Sequence, residues 1–255
     1  MDEFLTGALA ASIPAGYREE TLKAQAVILR SICMREMEDV GALKKEDSQL
    51  LCLDQEERRA LWGEDFEENE ALFLKAVQDT EGIVLAYGDE IVEPPYFRLS
   101  AGKTRSGAEI FGEERIVWCH SVECPHDLEA DDFLQEKKVE KGEFTRKLAE
   151  EGFLLPDKGA KVTLTRDSAG YVLFVRCSEH QMEGEKFRKL FELPSACFYL
   201  KEEDGNIVLQ TKGVGHGLGF DQYGADLLAA GGKDYMELLN FFFSGLSLEK
   251  VTVVE

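Results

Sequence analysis

The chain has 255 residues, of which 44% are hydrophobic and 31% are charged, and its formal net charge at pH 7 is −21. This length and composition suit a globular protein that buries a sizeable core in one large domain or two small ones. The acidic surface disfavours nucleic acid as a partner, because charges of the same sign repel the phosphate backbone.

Helices are predicted for the first third of the chain. Residues 18–39 are predicted to form one long helix, because Leu22, Ala26, Leu29, Cys33 and Met37 recur at helical spacing. Acidic residues open this helix, where they suit the positive end of the helix dipole. Two further helices are predicted at residues 55–62 and 66–79, separated by a glycine.

Hairpins and short helices are predicted for the rest. A hairpin turning at Gly88–Asp89 is expected within residues 82–100, followed by a strand at 115–122. The later predicted elements are a helix at 143–151, paired strands at 161–166 and 171–176, a helix at 184–191, paired strands at 196–200 and 206–211, helices at 219–230 and 234–243, and a strand at 250–254. Helices mixed with antiparallel hairpins favour an α+β fold. We expect one groove-bearing domain over residues 1–255, which could include a sub-lobe at about residues 128–192.

Targeting segments and disulfides are not expected from the sequence. No apolar run approaches the roughly 20 residues that a membrane helix needs, and the N-terminal segment lacks the basic region of an ordinary signal peptide. The six cysteines are widely spaced and fall mostly in apolar stretches, namely Cys33, Cys52, Cys119, Cys124, Cys177 and Cys197. Buried free thiols are therefore expected rather than a disulfide framework.

The segment GVGHGLGFDQYGA, at Gly213–Ala225, is the first candidate site. Glycines alternate with Val214, His216 and Leu218, so every second side chain is missing and the backbone can approach a ligand or another strand closely. Two interpretations stay open at this point. One is a ligand-binding loop that holds His216, although no GxxxxGK[ST] pattern is present for phosphate. The other is a tight turn with a structurally bonded histidine.

Three further segments carry polar groups. The first long helix carries four polar residues, Glu20, Lys23, Gln25 and Arg30. They indicate either a face exposed to solvent or a groove that Glu20 faces. The turn LSAGKT, with Ser100 and Lys103, suits a groove wall or a plain turn. Potential metal ligands cluster in WCHSVECPHD, namely Cys119, His120, Cys124 and His126. If residues 115–122 form a strand, Cys119 and His120 point to opposite faces and do not share one ion.

The order of these segments resembles that of the stage II sporulation protein D family and the related LytB-type amidase enhancers. Members of this family carry an EALKAQAVAARTY-like helix, a GG[RK]T or AGKT turn, and a GHGVGMSQYGA motif followed by a Y-x-E-I-L helix. The corresponding segments here read ETLKAQAVILR, LSAGKT, GVGHGLGFDQYGA and YMELL. The resemblance covers almost the whole chain, from about Glu3 to Leu248.

The resemblance implies a lytic transglycosylase that cleaves peptidoglycan glycan strands during engulfment in spore-forming bacteria. The implied substrate is glycan stripped of its stem peptides by a partner amidase, stage II sporulation protein P. One glutamic acid protonates the glycosidic oxygen and the sugar's 6-hydroxyl closes on the anomeric carbon, so the 1,6-anhydro product needs no second carboxylate. The expected residues are Glu20 as the acid, His216, Gln222 and Tyr223 in the glycan groove, and Gln25, Ser100 and Lys103 as further contacts. The family also implies an extracytoplasmic location, although neither a signal peptide nor a transmembrane anchor is expected in this chain.

The chain departs from the family pattern at the expected acid. Family members often carry one glutamate in an A-x-E-M-P segment and a second at the start of E-A-L-K-A-Q-A. Ser12 replaces the first here, and Glu20 keeps the second. A helix N-terminus favours the ionised form of a carboxyl, so Glu20 can act as the acid only if burial outweighs that effect. The alternative function is therefore an inactive glycan-binding or amidase-enhancing module.

Two more departures concern metal and the glycine-rich motif. The resemblance implies a zinc site of His and Cys after the first helix in sporulation members. The matching segment here, Ser48–Gly63, keeps Cys52 but has no histidine, so no metal or other cofactor is expected. Asp221 stands where serine is usual in GHGVGMSQYGA, while His216, Gln222 and Tyr223 are kept.

Overall fold

A computed structural model describes residues 1–40, 48–112, 116–155 and 162–251 of the chain. The helices are α1 (Asp2–Ser12), α2 (Glu19–Val40), α3 (Gln55–Trp62), α4 (Phe66–Asp79), α5 (Gly107–Phe111), α6 (Lys141–Glu150), α7 (Gly184–Leu190), α8 (Gln222–Ala230) and α9 (Tyr235–Phe242). The strands are β1 (Ile83–Tyr87), β2 (Glu90–Ile91), β3 (Tyr96–Phe97), β4 (Leu134–Glu140), β5 (Thr163–Arg166), β6 (Val172–Cys177), β7 (His180–Glu183), β8 (Phe198–Glu203), β9 (Asn206–Lys212), β10 (Phe220–Asp221) and β11 (Ser247–Lys250). This mixture of helices and antiparallel strands confirms the predicted α+β class.

The described residues form two compact units, Met1–Tyr96 with Ala225–Glu255, and Phe97–Gly224. In the first unit, α1, α2 and α4 bury a common core that includes Leu5, Leu9, Leu29 and Phe73. Its sheet has the strand order β11-β1-β2, with all pairs antiparallel. The second unit contains the range that was predicted as a sub-lobe.

The second unit is built from two antiparallel sheets of three strands with the orders β4-β9-β8 and β5-β6-β7. A cluster of phenylalanines forms its core, and the rings of Phe187 and Phe198 stack at 4.7 Å between centroids. Helices α6 and α7 contribute Phe144 and Phe187 to this core. The pairing of β5 with β6 shifts register between Thr165 and Arg166.

Local signals account for the helix boundaries that the sequence predicts well. Asp54 and Glu57 form a reciprocal capping box that begins α3, and Asp234 and Glu237 form another that begins α9. Gly63 adopts φ 55° and ends α3, which separates it from α4. The sequence therefore specifies these ends within a few residues.

One predicted strand is wrong. The chain turns at residues 116–118, where the Cys119 N–H donates to the carbonyl of Ile116 at 3.0 Å and Ile116 has φ 50°. Residues 119–122 belong to no strand, although the Thr104 N–H donates to the Val122 carbonyl and the Gly107 N–H to the Cys119 carbonyl, both at 2.8 Å. Arg115 lies outside the described residues. The predicted last strand also differs, because β11 ends at Lys250 and residues 252–254 lie outside the described part of the chain.

Candidate functional site

Glu20 lies in the first turn of α2, and both of its carboxylate oxygens accept hydrogen bonds within the first unit. Lys23 Nζ donates to Oε1 at 3.0 Å, and the N–H of Tyr235, at the start of α9, donates to Oε2 at 2.8 Å. The side chain is 31% exposed. Glu20 therefore ties α2 to α9, and any reaction at this carboxyl requires these bonds to change.

Lys23 is the centre of an ion-pair network around Glu20. Its Nζ lies 2.8 Å from Glu19 and 3.1 Å from Asp79, and Lys75 bonds to both of these acids. Burial lowers the pKa of Lys23, but the hydrogen bonds that Lys23 donates to Glu19, Glu20 and Asp79 outweigh it and raise the pKa. Hydrogen bonds from Lys23 and Lys75 lower the pKa of Glu19, and hydrogen bonds from Lys75 and Lys23 lower the pKa of Asp79. This network stabilises charged groups at the start of α2.

Gln25 is the other expected residue of the first unit, and Ser12 stands there in place of a glutamate of the family pattern. Ser12 ends α1, and its hydroxyl donates to the carbonyl of Leu9 at 3.1 Å. Gln25 is fully buried within α2. A glycan could contact Gln25 only after the surrounding side chains had moved.

The glycine run of Gly213–Gly219 is packed against neighbouring backbone on both sides. Leu99 and Val214 form a bridge in which each N–H donates to the other's carbonyl, at 3.0 and 2.8 Å. The Gly215 N–H donates to the carbonyl of Pro194 at 2.8 Å. Gly217 has φ 82°, and a Cβ at this residue would lie 2.2 Å from Cζ of Tyr171. The run is thus a close-packed strand-like segment, and these amides are used within the fold rather than presented to a phosphate.

His216 is half-buried in the middle of this run. Its Nδ1 accepts the N–H of Leu218 at 3.1 Å, which places the proton of the neutral ring on Nε2. The ring lies 5.6 Å from that of Phe97. Arg105 donates to the His216 carbonyl at 3.3 Å and pairs at 2.6 Å with Asp167, whose side chain is buried. These contacts fix the orientation of the imidazole.

Tyr223 and Lys103 are the more accessible of the other expected residues in the second unit. The Tyr223 N–H donates to the carbonyl of Arg98 at 3.0 Å, and partial burial together with nearby acids, Asp127 foremost, raises the pKa of its phenol. Lys103 is 34% exposed and pairs with Glu123 at 2.8 Å, which raises its pKa. Ser100 and Gln222 are buried, with 0% and 2% of their surface exposed.

Ser100 lies beside two buried acids, Asp127 and Asp221. The Ser100 hydroxyl donates to Asp127 Oδ2 at 2.5 Å, and its N–H lies 3.0 Å from the same oxygen and 3.3 Å from Asp221 Oδ2. Burial, and then the proximity of Asp127, raises the pKa of Asp221 well above its ordinary value. Sequence reasoning missed Asp127, although the substitution of the usual serine by Asp221 marked this place.

The four potential ligands of the WCHSVECPHD segment do not form a common site. Cys119 and Cys124 are buried, whereas His120 and His126 are exposed. Burial raises the pKa of the Cys119 thiol to about 12. Within the part of the chain that the structure describes, Cys124, Asp127 and Asp221 are the only group of three or more His, Cys, Asp or Glu residues whose ligand atoms lie within 4.8 Å of one another.

The expected residues are divided between the two units. Glu20 and Gln25 belong to the first, whereas Ser100, Lys103, His216, Gln222 and Tyr223 belong to the second. The second unit thus brings together the LSAGKT turn and the glycine-rich motif through the Leu99–Val214 bridge. None of the described helices combines the length and apolar character needed to cross a membrane.

Comparison with known proteins supports the resemblance found in the sequence. Residues 1–87 match the model of a family described as stage II sporulation protein. The chain is 28% identical to stage II sporulation protein D of Bacillus amyloliquefaciens and to that of Bacillus subtilis, over 98% of this chain and 74% of each relative. An uncharacterised protein of Brachyspira hyodysenteriae is 24% identical over 97% of this chain and 66% of its own length.

Proposed function

We propose that this relative of stage II sporulation protein D takes part in sporulation by binding peptidoglycan glycan strands. The matching family is a sporulation family. The observation that supports glycan binding is the position of His216, which is half-buried and held by the Leu218 N–H and the ring of Phe97. Imidazole and phenol groups can donate hydrogen bonds to sugar hydroxyls while their rings pack on the apolar faces of the sugars.

The contacts of Glu20 favour binding over cleavage. A general acid must deliver a proton to the glycosidic oxygen, but Glu20 uses one oxygen to accept from Lys23 and the other to accept from the Tyr235 N–H. Ser12 replaces the other glutamate of the family pattern, and its hydroxyl cannot supply that proton at neutral pH. In this proposal the protein binds glycan strands without cleaving them, and a partner amidase of the stage II sporulation protein P type would first remove their stem peptides.

Binding can be tested with purified glycan strands that lack stem peptides. We expect His216→Ala and Tyr223→Ala each to weaken binding by roughly 5- to 30-fold, the loss of one or two hydrogen bonds or ring contacts. His126→Ala removes an exposed histidine elsewhere in the same unit and should leave the affinity unchanged. Strands with intact stem peptides should bind more weakly. Equal affinity of the native chain and both variants would exclude this surface.

The second candidate function is lytic transglycosylation with Glu20 as the general acid, which its position on the ETLKAQA helix and its partial exposure favour. Mass spectrometry of the same strands after incubation distinguishes the two functions. We expect no 1,6-anhydro ends above background from the native chain. If such ends form and Glu20→Gln abolishes them, while the neighbouring Glu19→Gln does not, the protein is an enzyme and the binding-only proposal is wrong.

A further inference from the structure

Two acids are buried next to each other in the second unit without a basic partner. Asp127 and Asp221 are both fully buried, and one backbone N–H, that of Ser100, lies within 3.3 Å of both. No ion pair joins either acid to a basic side chain of the described residues, whereas the buried Asp167 has Arg105 at 2.6 Å. Two adjacent buried carboxylates repel each other unless a proton or a cation lies between them.

One oxygen of these acids lacks a donor partner, and it lies close to an oxygen of the other acid. Oδ1 of Asp127 is buried and accepts no hydrogen bond from an amide, hydroxyl or basic group of the described residues, while the two carboxyls lie close enough to hydrogen-bond when one is protonated. A Cβ built on Gly224 would lie 3.2 Å from Asp127 Oδ1 and 3.2 Å from Asp221 Oδ2, which is a close contact with both. The two oxygens therefore approach a common point.

The third group at this place is a thiol. Cys124 Sγ and one oxygen from each acid all lie within 4.8 Å of one another, and all three residues are buried. A four-coordinate divalent transition metal such as Zn²⁺ accepts one sulfur and two carboxylate oxygens as ligands. Ligand atoms around such an ion lie less than 4.8 Å apart, and the three atoms here are within that distance of one another.

We propose that Cys124, Asp127 and Asp221 bind one divalent transition metal ion, with Zn²⁺ as the best match. The thiol and the carboxyl that carries a proton in the metal-free pair both lose their protons to solvent on binding, and the ion neutralises most of the negative charge of the three ligands. Ser100 acts as a positioning residue, because its hydroxyl and N–H hold Asp127 Oδ2 and leave Oδ1 for the metal. The site lies at the base of the glycine-rich motif and would stiffen the segment that leads to Tyr223.

This site differs from the His and Cys zinc site that the family resemblance implies after the first helix. It depends on Asp221, which stands where serine is usual in the motif. Asp221→Ser therefore restores the usual residue and removes one ligand, which makes it a sharp test with little change in volume.

The test begins with the metal content of the purified chain by inductively coupled plasma mass spectrometry. The chain is then unfolded, freed of metal and refolded with ZnCl₂ or with chelator. We expect about one zinc per chain, and a rise in Tm of roughly 5–10 °C at a hundredfold excess over Kd. Substitution of a ligand by Asp221→Ser or Cys124→Ser should weaken Zn²⁺ binding by about 100-fold and remove the Tm shift.

Matched variants separate this site from general attraction of cations to an acidic chain. Asp131→Ser removes an exposed acid of the same segment, and Cys119→Ser removes a buried thiol outside the cluster, so both should keep the zinc. If a variant fails to fold, Co²⁺ added to the native chain gives an independent result, because a thiolate ligand produces a charge-transfer band. Absence of stoichiometric metal in the native chain, or equal Zn²⁺ binding by Asp221→Ser, would overturn the proposal and indicate a shared proton.

Discussion

Arg58, buried in the first unit, and Asp127 with Asp221, buried in the second, have opposite surroundings. Arg58 is fully buried, and it donates to Glu70, to Glu3 and to the carbonyl of Leu53 at 2.6–2.8 Å. Asp127 and Asp221 are equally buried but face each other. The first arrangement neutralises charge and stabilises packing, whereas the second carries a net charge that a bound proton or cation must compensate.

The largest expected effect on stability comes from breaking the ion pair of Arg58 with Glu70. Arg58→Met should lower the free energy of unfolding by about 3–5 kcal/mol, because it leaves Glu70 partly buried without its charged partner. Its neighbour Arg59 is 58% exposed and lies 3.4 Å from Glu67, so Arg59→Met should cost about 1 kcal/mol or less. Urea unfolding measures both. Equal losses would mean that burial does not set the strength of these pairs.

A smaller effect on stability, of opposite sign, is expected at the adjacent buried acids Asp127 and Asp221. In metal-free protein, Asp221→Ser should raise the free energy of unfolding by about 1 kcal/mol, because it removes one of two adjacent buried acids. The control within the same unit is Asp167→Ser, which leaves Arg105 buried without its partner and should lower that free energy by about 3 kcal/mol. Chemical unfolding in the presence of chelator measures both. A loss at Asp221 as large as that at Asp167 would contradict the difference between the two arrangements.

The smallest expected effect is a pH dependence at the start of α2. Glu19 and Asp79 have pKa values below those of the unfolded chain, so their contribution to stability is present at neutral pH. It is lost as the pH falls below about 4 and both acids become protonated. Lys23→Met should therefore flatten the decrease in Tm between about pH 5 and pH 2. Lys138→Met, at an exposed residue of β4, should leave that slope unchanged.

The helices could be predicted where local signals and burial agree. Helix α2 follows the apolar spacing, and α3 and α9 begin at capping boxes that are visible in the sequence. Helix α1 was not predicted, because its small and apolar residues show no clear period and its Leu5 and Leu9 are fixed by the core. Strand β4 was missed because it depends on β9, a partner distant in the chain. Strand β7 follows β6 across a tight turn and was missed because its four residues include one buried apolar side chain, Met182.

The candidate site could be predicted only in part. The glycine-rich motif pointed to His216 and Tyr223, which remain accessible, but not to the burial of Gln25, Ser100 and Gln222. Burial of a polar residue depends on which segments pack over it, and the sequence spacing does not contain that information. The proximity of Asp127 to Asp221 could not be predicted from sequence spacing either. It arises because the Ser100 N–H, in the LSAGKT turn, bonds to both acids.

The alternation of glycines in the motif has a consequence for the tolerance of this segment to mutation. A Cβ at Gly213 would lie 2.7 Å from the carbonyl oxygen of Leu99, and one at Gly217 would overlap Tyr171, whereas Val214 and His216 are partly exposed. Saturation mutagenesis scored by folding should therefore reject substitutions at Gly213 and Gly217 and tolerate them at Val214 and His216. Substitutions that change ligand preference can accumulate only at the tolerant residues that face solvent.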